Sequence, residues 1–97
     1  MNANEYLLVC LIEEAAEVQQ AASKALRFGL NNHHPCRDST NVEELQNEVF
    51  HFLAIIELLN AQEILAPLCG GKDEIIEKIE NIYNYMQCSK IEGILEE

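Results

Sequence analysis

A chain of 97 residues carrying 17 acidic side chains against 6 Lys and Arg, with a net charge of −11, is poorly suited to grip the phosphate backbone of DNA or RNA through basic patches. Hydrophobic residues make up 48% of it, but no apolar run approaches the roughly 20 residues a bilayer span requires. A fold this small buries only about 60 to 65% of the surface its unfolded chain exposes, so a single domain over residues 1–97 that gains by self-association is expected.

The elements follow in chain order. Leu7, Leu11, Ala15, Val18, Ala22 and Leu26 recur at spacings of three and four, which predicts an amphipathic helix over about 4–28. Gly29 stands where a helix-terminating glycine belongs, and the segment from Asn31 to Pro35 cannot comfortably continue a helix. A loop over about 29–40 results. Ser39, Thr40 or Asn41 can cap a second helix over about 41–62, with Leu45, Val49, Phe52, Ile56 and Leu59 as its apolar stripe. Ala66-Pro67 and Gly70-Gly71 break the pattern, with room for a short turn around Glu63 to Leu65. A third helix over about 72–88 carries Ile75, Ile76, Ile79, Ile82, Tyr83 and Met86 on one face, and the tail beyond Gly93 is expected to be loose. The expected fold class is all-α: an antiparallel helix bundle completed by oligomerisation into a homodimer or homotetramer.

The first residues, Met1 to Tyr6, bring no basic cluster ahead of an apolar stretch, so a cytoplasmic location is expected. Cys10, Cys36, Cys69 and Cys88 form no CxxC pair and read as free, mostly buried thiols.

The acidic residues are unevenly distributed. Glu13, Glu14 and Glu17 lie along one side of the first helix, and Glu44, Glu48 and His51 share a face of the second, beside its apolar stripe. If the two faces meet, several carboxylates converge and their repulsion must be relieved by protons or by a cation. A hard divalent ion such as magnesium takes oxygen ligands and keeps coordination positions for the phosphate oxygens of a small ligand. The competing reading of such a cluster is a solvated helix face.

Glu13-Glu14-Ala15-Ala16-Glu17 followed after a loop by Glu48-Val49-Phe50-His51 resembles the EExxE and ExxD pair of the MazG-like all-α nucleotide pyrophosphohydrolases. The segments 21–29 and 41–59 and the ending from Lys78 through Tyr83, Tyr85, Ser89 and Gly93 to Leu95 are similar to short phage and bacterial members, so the likeness spans nearly the whole chain. It implies metal-dependent hydrolysis of an NTP or dNTP between its α and β phosphates to the monophosphate and pyrophosphate. By the same resemblance Glu14, Glu17, Glu48 and His51 are metal ligands, for Mg²⁺ or Mn²⁺. Glu13 is a neighbouring carboxylate that binds metal or orients water, so Glu13, Glu14, Glu17 and Glu48 form the implied catalytic set. Lys24 and Arg27 are candidates for phosphate, and Tyr83 for the base or sugar.

His51 departs from the family pattern, which has aspartate there. Imidazole suits manganese, cobalt or zinc better than magnesium; alternatively the ring replaces a ligand without binding metal, or is merely a polar residue at a helix interface. A catalytically weak or inactive member, acting as a nucleotide-binding or protein-interaction module, is the alternative function. His33-His34-Pro35-Cys36 lacks a second ligand pair at a zinc spacing, and Gly70-Gly71-Lys72 lacks the spaced glycines and the Ser or Thr of a phosphate loop; an exposed loop and the start of a helix are the expectations there.

Overall fold

A computed structural model describes residues 1–96 as three α-helices, α1 (Ala3–Phe28), α2 (Asn41–Ala61) and α3 (Lys72–Ile91), with one 3₁₀ turn, Leu68–Gly71, ahead of α3. No strand occurs among the described residues, and no helix there is long and apolar enough to cross a membrane. The chain divides into two units, residues 1–65 and 66–97.

In the first unit α1 packs on α2, and the buried positions explain how. On α1 the less exposed residues include Leu7, Leu11, Glu14, Val18, Ala21 and Ala25, with Cys10 and Ala15 beside them; on α2 they include Asn41, Leu45, Glu48, Phe52, Ile55 and Leu59. Both sets alternate steps of four and three, the spacing that keeps one seam facing a partner helix. The expected stripe drifts off this seam at its end, because repeated steps of four outrun the helix turn. Ala21 and Ala25 replace Ala22 and Leu26 in the interface, and Leu26 is 88% exposed.

Each helix end has an identifiable cause. Asn2 caps α1, its side-chain oxygen accepting from Glu5 N at 2.8 Å. At the other end Gly29 adopts φ +97°, where a Cβ would meet the Asn32 amide nitrogen at 2.7 Å. That amide is held there because it donates to Phe28 O at 2.7 Å. Of the three residues able to cap α2, Thr40 does so, in a reciprocal capping box with Glu43. The loop between the helices is tied across its base: Asn41 Nδ2 donates to Gly29 O at 2.8 Å, Asn41 N to Asn32 O at 2.8 Å and Val42 N to Leu30 O at 3.0 Å.

α2 ends with Glu63 in the left-handed region at φ 59°, its N–H donating to Asn60 O and that of Ile64 to Leu59 O. This is the Schellman arrangement usually completed by glycine. α3 ends the same way on Gly93, with Gly93 N donating to Lys90 O and Ile94 N to Ser89 O. α3 thus runs three residues past its expected end at Cys88, and the residues after Gly93, expected to be loose, begin as a hydrogen-bonded cap. Its apolar face stays exposed: Ile75, Ile76, Ile79, Ile82, Tyr83 and Met86 keep 39% to 63% of their surface.

The cysteines are free, but they are not mostly buried. Cys10 is half-buried, and Cys36, Cys69 and Cys88 are exposed, because apolar burial is concentrated in the α1–α2 seam, which reaches only the first of them.

Candidate functional site

The heptad-like seam places a glutamate midway along each helix: Glu14 between Leu11 and Val18, and Glu48 between Leu45 and Phe52. Apolar neighbours on either side hold these two carboxylates against the helix interface. One oxygen of each, Glu14 Oε2 and Glu48 Oε2, is shielded from solvent without a hydrogen-bond partner. A buried acceptor left in this state costs free energy until a donor or cation meets it.

Glu17 follows Glu14 by three residues and His51 follows Glu48 by three, so each stands one turn further along, at the rim. Glu14, Glu17, Glu48 and His51 can each offer one ligand atom such that all four lie within 4.8 Å of one another. His51 Nδ1 is 3.5 Å from Glu48 Oε2. Octahedral ligands about 2.1 Å from an ion are spaced roughly 3 to 4.2 Å apart, so closing this set around a cation needs side-chain movements of less than about an ångström. The solvent-shielded oxygens of Glu14 and Glu48 fit such an ion, and three carboxylates with one imidazole form a donor set that suits manganese.

The electrostatics record the crowding. A hydrogen bond shared with Glu48, followed by repulsion from Glu14 and from Glu48, raises the Glu17 carboxyl above its ordinary value. The proton that relieves this repulsion competes with any cation for the same oxygens.

Glu13 is exposed and lies outside the four-residue set. Glu44, expected on the same face as Glu48 and His51, lines the same cleft as they do, where Arg37 engages it at 2.7 Å. That hydrogen bond, ahead of the burial that opposes it, lowers the Glu44 carboxyl below its ordinary value.

A cleft of about 410 Å³ adjoins the acidic set, lined by Glu17, Glu48 and His51 on one side and by Lys24, Arg37 and Asn47 among others. Of the two basic residues expected near phosphate, Lys24 lines this cleft and Arg27 does not; the Arg27 guanidinium covers the Phe28 ring, 4.7 Å from its centroid. Arg37 was not foreseen from the sequence because it sits in the loop, where no helical period assigns it a face. The only sequence signal was a lone arginine seven residues ahead of Glu44. Tyr83 belongs to the second unit, 63% exposed on α3.

Comparison with protein-family models, with curated proteins and with solved structures finds no match to this chain.

Proposed function

We propose that the protein is a metal-dependent nucleoside triphosphate pyrophosphohydrolase, converting an NTP or dNTP to its monophosphate and pyrophosphate. The observation that carries this reading is the convergence of Glu14, Glu17, Glu48 and His51 within 4.8 Å beside a cleft that also presents Lys24 and Arg37. An acidic pocket rejects a triphosphate unless cations intervene, and two basic side chains at its edge then supply the remaining charge. The likeness of EExxE and ExxH, which contain these same residues, to the MazG-like motif pair supports the reading.

In this reading Glu14, Glu17, Glu48 and His51 hold Mn²⁺ or Mg²⁺, which supplies an acidified water and neutralises charge at the phosphorus under attack. Glu48 and Glu14 keep their outer oxygens fixed because the apolar seam flanks them. Lys24 donates to phosphate from α1, and Arg37 can do so on leaving Glu44. The exposed apolar rows, α3's above all, favour a homo-oligomer in an antiparallel bundle, since patches of this kind are normally covered.

A second reading, nucleotide binding without efficient turnover, rests on His51. Its side chain is 60% exposed against 27% for Glu48, a looser position than a fixed inner ligand requires. Pyrophosphate release from a panel of ribo- and deoxyribonucleoside triphosphates, with magnesium and with manganese, tests both. Metal-dependent release that Glu17→Ala and Glu48→Ala abolish is the expected result, and His51→Asp should raise the magnesium-supported rate. Nucleotide binding with no release under either metal would favour the second reading.

A further inference from the structure

A second cleft, of about 400 Å³, lies on the loop side of Lys24 and Arg37, which line both clefts. The two cavities differ in chemistry. The first is bounded by carboxylates, whereas the second is bounded by the Phe28 ring, Pro35, two imidazoles and two amides.

The hydrogen bonds of the loop fix what those polar groups have left to offer. His33 Nδ1 lies 2.9 Å from His34 O; a carbonyl only accepts, so this nitrogen carries the proton, and in the neutral ring Nε2 is an acceptor. His34 Nδ1 accepts from Cys36 N at 3.1 Å, so its proton sits on Nε2, a donor. Asn32 and Asn41 each donate one N–H of their amide, to Phe28 O and Gly29 O, which fixes the amide orientation and leaves the amide oxygens as acceptors. Donor and acceptors of defined sense thus accompany an aromatic ring braced on one face by Arg27. A nucleobase is recognised by a ring to stack on and by oriented donors and acceptors at its edge, and the volume falls in the range of small-ligand pockets.

We propose that this loop-side cleft is the nucleoside subsite of the triphosphate site, with Lys24 and Arg37 at the junction where base and sugar give way to phosphate. Phe28 is the stacking platform, and His33 and His34 read the base edge. This rests on the function proposed above, which supplies the metal-bound phosphates in the first cleft.

The test is equilibrium binding, with manganese, of tripolyphosphate and of α,β-methylene nucleoside triphosphates, which resist cleavage at the bond in question. It compares the unaltered protein with Phe28→Ala and His34→Ala. Phe28 is half exposed and His34 lies on an exposed loop, so the fold tolerates both changes. The unaltered protein should bind the analogues more tightly than tripolyphosphate. Phe28→Ala should lose about tenfold in analogue affinity with tripolyphosphate unchanged, and His34→Ala should alter the ranking among bases. Equal losses for both ligand types, or no loss for either, overturn the subsite. If tripolyphosphate does not bind at all, the phosphate and metal reading falls. The subsite then stands only if nucleosides alone bind in a Phe28-dependent manner, and falls if they do not.

Discussion

The loop end of the α1–α2 seam and its middle are both built from glutamates and reach opposite electrostatic states. At the start of α2 two carboxylates have donors: Glu43 accepts from Thr40 N and from the Thr40 hydroxyl, and Glu44 from Arg37. Both are lowered below their ordinary values, Glu43 by the Thr40 backbone first and Glu44 by Arg37 first. Further along the seam Glu14, Glu17 and Glu48 have chiefly one another and a histidine, and Glu17 is raised. The loop end is therefore complete as it stands, whereas the middle of the seam keeps two shielded carboxylate oxygens, one on Glu14 and one on Glu48, without a hydrogen-bond partner. Natural proteins tolerate such local conflicts where they serve function.

The largest expected effect separates the two regions by ligand. Manganese at about one hundred times its dissociation constant should stabilise the protein by about 2.7 kcal/mol. Glu17→Gln should abolish that gain, yet melt above the unaltered protein in chelator, because it removes one member of a repelling set. Thermal melts of both proteins, with and without the ion, read the two outcomes together.

At the loop end the expectation is plain destabilisation. Asn41 is 6% exposed and its amide ties Gly29 O across the base of the loop. Asn41→Ala leaves that carbonyl only the longer bond from Asn32 N at 3.3 Å and should cost about 0.5 to 1.5 kcal/mol in urea unfolding, with no change in the response to manganese. A lost metal response in this variant would mean that the two regions are not independent.

The smallest effect is in the pH profile without metal, where the two regions act with opposite sign. The contributions of Glu43 and Glu44 are present above the ordinary carboxylate value of 4.5 and disappear as pH falls through their lowered values. That of Glu17 is present below 4.5 and disappears as pH rises through its raised value. Unfolding followed across the acid range should therefore show a steeper loss towards low pH in Glu17→Gln than in the unaltered protein.

How far this was legible in the sequence depends on periodicity. The three helices and the glycine that ends α1 follow from spacing and local backbone preference, and spacing also puts Glu14 with Glu17 on one face and Glu48 with His51 on another; that these four form one set was only what the resemblance to the MazG-like motif pair implied. The placement of Glu14 and Glu48 inside the seam was harder to see, because a glutamate in an apolar row looks like an interruption until the four-and-three register of both helices is known. Leu26 misleads for the converse reason: it is apolar at an exposed position. Arg37 and the loop-side cleft depend on tertiary hydrogen bonds such as Asn41 to Gly29, which no local pattern announces.

Calorimetric titration of manganese into the metal-free protein, repeated with Glu48→Gln, tests most directly whether the middle of the seam is a cation site. Saturable binding that releases protons, and that Glu48→Gln greatly weakens, is the result expected of a crowded carboxylate set giving up its shared proton to an ion. Absence of saturable binding, or binding of equal strength in the variant, would contradict the account.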